Sequence, residues 1–504
     1  MSNKFIEQYD GDWNIPEIDY SMPGVLTINK EDHNIELKLI TEKDFSGKKI
    51  DIQNPSFHKI EILNGKTWND YITLYNLLMS NVKVVGNNHF EYNFKIEFVI
   101  FGGIFNTPKD INLNSITCSF PFFVSWYDGY KDYFESSLTR NGVDSEIRTS
   151  LKKDELTDII EVNPDFKIEI FRRYILPPLI SSVRKLDISI KHFIKFIFIK
   201  PVSFDIALEY VHYFKQLIQF ATGNLTYVDF SSIITQISNT KFISDVHRIN
   251  EKEVSLQITN FSKLHKRNLG KSDYIHQNFM LFCICKNTKN ELHSIIRNWY
   301  LTIKEYIIIY NIFLDTDEWF QNTNSTLTQV MFNNRFLNLI QALEGYYNIK
   351  NPNKYDDLKI KVQLKLKGIL DRVKIEPTKD RKWIEKRIMP FCGLADKLNT
   401  IYNQFEKISN ILFVDKKALY VFTKSINDIR NGFSHGATLH SDFKKNWNLY
   451  YYKLQIILLC CILESLKFSN EQIFRMILKC TRFSEIIGFI KHHEKQLNIE
   501  NGNK

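Results

Sequence analysis

The sequence predicts an α+β protein with a β-rich N-terminal region, sandwich-like or barrel-like, then a mixed segment and an all-α C-terminal bundle. Two observations support this fold class. Short apolar segments separated by turn residues fill about the first 200 residues, and apolar residues recur at helical spacing after them. We therefore expect three parts, at residues 1–203, 204–324 and 325–504.

The first part contains six segments with the composition and alternation of β-strands. Glycine and asparagine separate several of them, at Asn64-Gly65, at residues 86–88 and at Gly102-Gly103, and we predict turns there. Short strands with frequent turns are typical of a sandwich or barrel. The predicted strands are Val25–Ile28, Ile35–Leu39, Lys59–Leu63, Tyr71–Leu78, Tyr92–Phe101 and Phe193–Ile199.

The pattern changes at Asp205, where apolar residues begin to recur every three or four positions. This predicted helix ends near Gly223, because glycine commonly follows the last turn of a helix. A mixed stretch covers residues 227–285. Asn290–Leu314 is then predicted to be one long helix, and residues 315–325 are polar enough to be a linker.

The last part is predicted to be helical throughout. Asn333–Tyr347 carries one apolar face, and Asp415 can cap a helix over Lys416–Ile429. The apolar faces of these two helices contain Phe336, Leu339, Ile340 and Leu343, and Leu419, Phe422, Ile426 and Ile429. Further helices are predicted over Tyr355–Val373, within Met389–Ile411, over Ser441–Phe468, and from Asn470 and Ser484.

Charge is distributed unevenly along the chain. Residues 325–504 contain 30 Lys and Arg against 17 Asp and Glu, a net charge of +13, whereas residues 1–324 contain 36 against 40, a net charge of −4. A basic part of this size is suited to a polyanion such as nucleic acid. Surface lysines that serve only solubility produce the same composition.

Several classes of protein are disfavoured. No apolar stretch approaches the roughly 20 residues that cross a bilayer, and the first ten residues lack the apolar run of a signal peptide. The seven cysteines have no regular spacing, which indicates reduced thiols. We therefore expect a cytoplasmic protein without membrane contact. No complete P-loop or zinc pattern is present, so we expect no cofactor and no metal.

One segment near the C-terminus carries groups that can act on a phosphodiester. Arginine binds phosphate through a fixed fork of donors, and histidine can transfer a proton near neutral pH. An arginine and a histidine at this spacing also occur by chance. Either residue can be present at a helix end without a catalytic role. We predict that the helix stops at Asn431-Gly432. The segment is Asp428-Ile429-Arg430-Asn431-Gly432-Phe433-Ser434-His435-Gly436.

This segment and the apolar helix after it resemble the HEPN domain, whose signature is Arg, four to six residues, then His. Asn431 matches the asparagine that often follows the Arg, and Glu344 matches an acidic or polar residue on an earlier helix. Segments at Gly11–Pro16, Met22–Thr27 and Tyr71–Leu74 are similar to the N-terminal domain of ApeA-type proteins, which are bacterial anti-phage HEPN proteins.

The resemblance implies a metal-independent endoribonuclease that acts by abortive infection, with RNA, and tRNA in particular, as its substrate. It implies a catalytic set of Arg430, His435, Asn431 and Glu344, and products with 2′,3′-cyclic phosphate and 5′-hydroxyl ends. It also implies a homodimer through the HEPN domain, and a phage protein is an expected trigger for the N-terminal region. Nearby candidates for phosphate contacts are Lys416, Lys417, Lys424, Lys444 and Lys445.

Two alternatives remain open at this point. The C-terminal part could be a HEPN module that dimerises or binds RNA or nucleotide without cleaving it. Alternatively, the β-rich region could be the functional part, as a β-sandwich that binds a protein or a sugar. RNA cleavage by a His435→Ala variant separates the first alternative from the ribonuclease, and deletion of the N-terminal region tests the second.

Overall fold

The computed structural model has a β-rich N-terminal half and a helical C-terminal region, so the predicted α+β fold class is confirmed. The structure describes residues 6–16, 20–30, 32, 34–41, 59–85, 89–128, 134–141, 144–151, 157–175, 189–224, 226–236, 241–242, 253–260, 276–282, 284–285, 289–316, 329–352, 364–369, 372, 393–435 and 441–502.

Twelve of the described strands form one sheet with antiparallel pairing. All six predicted strands are present, and each is longer than predicted at one end or both, because backbone pairing continues beyond the apolar residues. In chain order the strands are β1 (Ile6–Asn14), β2 (Met22–Asn29), β3 (Asn34–Thr41), β4 (Lys59–Thr67), β5 (Tyr71–Val85), β6 (His89–Phe101), β7 (Gly103–Ile104), β8 (Asn112–Ser119), β9 (Tyr127–Asp128), β10 (Phe134–Asn141), β11 (Asp144–Leu151), β12 (Thr157–Asn163), β13 (Phe166–Ile175), β14 (Ser189–Ser203), β15 (Asp229–Gln236), β16 (Lys241–Phe242), β17 (Glu253–Asn260) and β18 (Ile284–Cys285).

The helices agree with the predicted periodicity, apart from the end of the helix predicted over Lys416–Ile429 and two further corrections. The helix predicted within residues 389–411 is two helices separated at Phe405, and the last helix begins before Ser484. The helix predicted over residues 355–373 lies largely outside the described residues, although 364–369 are helical. In chain order the helices are α1 (Phe123–Trp126), α2 (Phe204–Thr222), α3 (Lys289–Thr316), α4 (Gln329–Lys350), α5 (Leu394–Gln404), α6 (Glu406–Leu412), α7 (Lys416–His435), α8 (Ser441–Ser465), α9 (Asn470–Lys479) and α10 (Thr481–Gly502).

None of the helices in the described part of the chain combines the length and apolar character that crossing a membrane requires.

Six strands of the large sheet close into a ring. Strand β6 pairs with β3 on one edge and with β5 on the other, which completes the order β6-β3-β2-β1-β4-β5. Alternate side chains of each strand point to the same face, so a closed sheet collects one set of them inside. The apolar set is buried and includes Trp13, Leu26, Leu37, Leu74 and Phe94. The predicted barrel-like layer is therefore closed and filled with side chains.

The remaining six strands continue the same sheet past β6. Strand β17 pairs with the last four residues of β6, and the order continues β15-β8-β14-β13-β12. Helix α2 packs on β14 and β8. Its Phe214 ring lies 5.4 Å from Phe120 and 5.7 Å from Phe196, measured between centroids. The helix ends at Gly223 in the left-handed conformation, as predicted from its sequence.

The predicted turn at Asn64-Gly65 is wrong, because both residues lie within β4. Gly65 pairs with Trp13 of β1, and Asn64 pairs with Asn14. The amide of Asn64 is buried and donates to the carbonyl of Phe105 at 2.8 Å, so this polar side chain is satisfied inside the fold. A Cβ on Gly65 would lie 2.3 Å from the Trp13 ring. Glycine is therefore present here for space and not for a turn.

Gly65→Ala is expected to destabilise the closed ring by about 2 kcal/mol, because Trp13 is fully buried and cannot move aside. Thermal unfolding followed by circular dichroism measures the effect. Gly488→Ala is the matched control, since a Cβ there meets nothing within 4 Å and the residue lies inside a helix. Gly488→Ala should leave the thermal stability unchanged or raise it slightly. Equal losses in both variants would contradict this explanation.

The chain divides into two compact units. One contains residues 1–277 and 283–297, and the other contains residues 278–282 and 298–504. The division falls within α3. The three-part division predicted from the sequence, with boundaries after residues 203 and 324, stays a prediction.

Candidate active site

Helix α7 carries the arginine and histidine of the signature segment. Its first turn is capped by Asp415, whose carboxylate accepts a hydrogen bond from the amide of Ala418 at 2.7 Å. The predicted apolar stripe is buried along its whole length. The helix is held against α5 through this stripe and through a hydrogen bond of 3.2 Å from the Thr423 hydroxyl to Asn399.

The predicted end of this helix is wrong. The helix continues through Asn431-Gly432 and ends at His435. Packing explains the extension, because the ring of Phe433, one residue beyond the glycine, lies 6.2 Å from the ring of Phe336 on α4. Arg430 and His435 are therefore in one continuous helix. Five residues correspond to a rise of about 7.5 Å along the axis.

Arg430 lies against Glu344, the acidic residue that the resemblance places in the same catalytic set. The Nη2 atom of Arg430 is 3.0 Å from Oε2 of Glu344. Both residues lie at the border of an apolar stripe: Glu344 follows buried Leu343 on α4, and Arg430 follows buried Ile429 on α7. The packing of these helices therefore brings the two charges together. The Arg430 side chain is 38% exposed and that of Glu344 only 17%, so the arginine is the accessible member of the pair.

A third charged residue, Lys397 of α5, was missed in the sequence. Its Nζ lies 3.3 Å from Oε1 of Glu344, and the side chain is 16% exposed. It is also 5.9 Å from the ring centroid of Tyr347. One signal could have found it. The buried residues of α5 include Leu394, Leu398 and Ile401, and Lys397 occupies a position of the same helical stripe, where an apolar residue is expected.

The remaining predicted site residues fall into two groups. Asn431 and three of the predicted lysines are exposed on α7: Lys416, Lys417 and Lys424. The backbones of His435, Lys444 and Lys445 belong to α7 and α8, but their side chains lie outside the described residues. The structure therefore brings Arg430 and Glu344 together, and it leaves the position of the histidine ring as a prediction.

The cluster of Arg430, Glu344 and Lys397 has a formal charge of +1, since two cations share one carboxylate. A partly buried lysine beside an accessible arginine is suited to binding one phosphate group. No group of three potential metal ligands occurs among the residues that the structure describes.

The buried thiols of Cys460 and Cys461 do not offer a nucleophile. Burial raises the pKa of both thiols well above the usual value, so they stay protonated at neutral pH. Both side chains are buried and belong to α8.

Comparison with protein families agrees with these features. The model described as ApeA N-terminal domain 1 matches residues 8–299, and the model described as Apea-like HEPN matches residues 337–472. The first match covers more than half of the chain, and the second contains Arg430, Glu344 and Lys397. No curated protein and no solved structure matches the chain. The chain belongs to the ApeA-type HEPN proteins, a family of HEPN-based anti-phage defence proteins.

Proposed function

We propose that this protein is a metal-independent endoribonuclease of anti-phage defence, with Arg430 and His435 as its reactive pair. The observation that carries the proposal is the ion pair between Arg430 of α7 and Glu344 of α4. An accessible arginine lies 3.0 Å from a partly buried glutamate. This arginine is on the same helix as the histidine of the signature. RNA supplies its own nucleophile, so the protein has to move protons and stabilise added charge on the phosphate.

The proposed reaction is an in-line attack of the ribose 2′-hydroxyl on the adjacent phosphorus. The bond from phosphorus to O2′ forms as the bond to O5′ breaks. His435 accepts the 2′ proton and returns a proton to the departing O5′. The products are a 2′,3′-cyclic phosphate and a 5′-hydroxyl, and no metal or water enters the step.

The other site residues hold the reacting groups in place. Arg430 donates hydrogen bonds to the non-bridging phosphate oxygens, on which negative charge increases during attack. Glu344 fixes the guanidinium through the contact at 3.0 Å. Asn431, which is exposed next to Arg430, orients either the histidine or the scissile phosphate.

The substrate is RNA, with tRNA the preferred class. Three exposed lysines lie on the same helix as Arg430, and they support binding of neighbouring phosphates: Lys416, Lys417 and Lys424. Lys444 and Lys445 at the start of α8 are assigned the same role. The net charge of +13 over residues 325–504 is consistent with a polyanionic substrate.

A ribonuclease of this kind has to be restrained before infection. We assign that control to the N-terminal region, which has a net charge of −4 over residues 1–324 and is the proposed sensor of a phage protein. The active form is proposed to be a homodimer through the HEPN domain, located in the cytoplasm. An active enzyme that is strictly monomeric would overturn the dimer.

Sequencing of RNA ends after induced expression tests the proposed cleavage. We expect new cellular RNA ends carrying 2′,3′-cyclic phosphate and 5′-hydroxyl groups, and Arg430→Ala should abolish them. New ends with a 5′-phosphate would contradict attack by the ribose hydroxyl, because that product requires water as the nucleophile.

A second candidate function is a HEPN module that binds RNA without cleaving it. The contact between Arg430 and Glu344 favours this candidate as well, since an ion pair can serve only to hold two helices together. The His435→Ala variant separates the two candidates. Equal growth inhibition by the wild type and the variant would support the binding module.

A further inference from the structure

Glu344 binds two cations, one with each carboxylate oxygen. Oε2 contacts Arg430 at 3.0 Å, and Oε1 contacts Lys397 at 3.3 Å. We propose that Lys397 is a positioning residue for phosphate binding, which acts by sharing the charge of Glu344 so that Arg430 remains able to bind a phosphate. This inference rests on the proposed function, because it assigns a ligand to the same site.

The burial of the three side chains assigns them different tasks. Lys397 and Glu344 are 16% and 17% exposed, and Arg430 is 38% exposed. An incoming RNA therefore meets the arginine first, because the lysine and the carboxylate are both less exposed. The ring of Tyr347, one turn after Glu344 on α4, covers Lys397 at 5.9 Å from its centroid. The lysine is thus held at the carboxylate and not offered to solvent.

The charge of the cluster decides how strongly it attracts a phosphate. With Lys397 present, two positive groups share one negative group and the net charge is +1. Without Lys397, Arg430 and Glu344 form a neutral pair, and a phosphate has to displace the carboxylate before it can use the guanidinium. Interactions between charges at such distances are strong in a partly buried site, because screening by water is reduced.

This charge argument predicts an order of affinities for RNA. Lys397→Met lowers the cluster charge to 0, Glu344→Gln raises it to +2, and the double variant returns it to +1. We expect Glu344→Gln to bind most tightly and Lys397→Met to bind least tightly, on the order of tenfold more weakly than the unchanged cluster. The double variant should bind within about threefold of the unchanged cluster. A lysine that served only to hold α5 against α4 would make the double variant the weakest binder.

Binding is measured in a His435→Ala background by fluorescence anisotropy, with labelled total tRNA at low ionic strength as the probe. This background keeps the RNA intact. Lys407→Met is the matched control, because Lys407 also pairs with a glutamate, Glu471, yet is 61% exposed on α6. Its effect on affinity should stay within about twofold. Circular dichroism of each variant confirms that the helices are formed, and Lys397→Arg, which retains the charge, should bind like the unchanged cluster.

The outcomes separate this inference from the proposed cleavage. The predicted order of affinities supports the role of Lys397 even where the wild type cleaves no RNA, a result that would overturn the ribonuclease alone. Cleavage by the wild type with unchanged tRNA affinity in Lys397→Met would overturn the role of Lys397 and leave the ribonuclease intact. A double variant that binds more weakly than Lys397→Met would also overturn it.

Discussion

Arg430→Ala is expected to lower the rate of RNA cleavage by at least about 100-fold, since the guanidinium donors that stabilise the attacked phosphate are removed. Arg430→Lys should restore only part of the rate, because lysine keeps the charge but lacks the fork that binds two phosphate oxygens. Single-turnover cleavage of total tRNA by the purified protein measures both rates.

Two further variants sharpen this prediction. Arg475→Ala is the matched control: Arg475 is 76% exposed and pairs with Glu471 within α9, so its loss should change the rate by less than about twofold. The double variant of Arg430→Ala and His435→Ala should be about as slow as the slower single variant, because groups that act in one step are not additive. Losses that multiply would show that Arg430 and His435 do not act as a unit. An Arg475→Ala variant as slow as Arg430→Ala would show that the loss is not specific to the candidate site.

The largest effect on stability is expected from Glu494→Gln. The side chain of Lys453 on α8 is 4% exposed, and its Nζ forms a salt bridge with Glu494 on α10. Burial lowers the pKa of Lys453, and the charge of Glu494 acts in the opposite direction. Removing the carboxylate leaves a buried ammonium beside the Phe413 ring, 4.2 Å from its centroid. We expect a loss of about 3 kcal/mol, measured by thermal unfolding.

A second substitution should reverse this loss. Lys453→Met combined with Glu494→Gln removes both charges and keeps an apolar chain of similar length between Phe413 and Phe422. The double variant should therefore approach the stability of the wild type. Glu471→Gln is the control, since Glu471 pairs with Lys407 and Arg475 on the surface, and its loss should be small. A double variant as unstable as Glu494→Gln would show that the loss comes from shape and not from the unpaired charge.

Local pattern predicted much of this fold. The apolar stripes of α4 and α7 are buried as expected, since periodicity along one helix specifies which face leaves water. Asp415 caps α7 as its position indicates. The six strands were predicted for the same reason, because alternation along one segment needs no knowledge of its neighbours.

The errors occurred where a distant residue overrides a local preference. Asn64-Gly65 has the composition of a turn, but Trp13 of another strand occupies the space beside the glycine. Gly432 favours a helix end, but contact between Phe433 and Phe336 continues the helix by one turn. In both cases tertiary packing outweighs the local preference, which for glycine in a helix is about 1 kcal/mol.

The candidate site likewise has residues that the sequence identifies and a residue whose role only the packing reveals. The residue types and spacing in the sequence were sufficient to select Arg430 and Glu344, because a family signature is carried by the chain itself. No family signature marks Lys397. Its place in the apolar stripe of α5 makes it unusual, but its pairing with Glu344 depends on the packing of α5 beside α4.

By itself, the sequence determined the α+β class, the helical faces and the arginine, histidine and glutamate of the candidate site. Only the tertiary structure decided that the front sheet closes on itself and that one carboxylate serves two cations. The physical reason is that periodicity acts between neighbours in the chain. Ring closure and charge sharing depend on residues far apart in sequence, whose distances are set by packing.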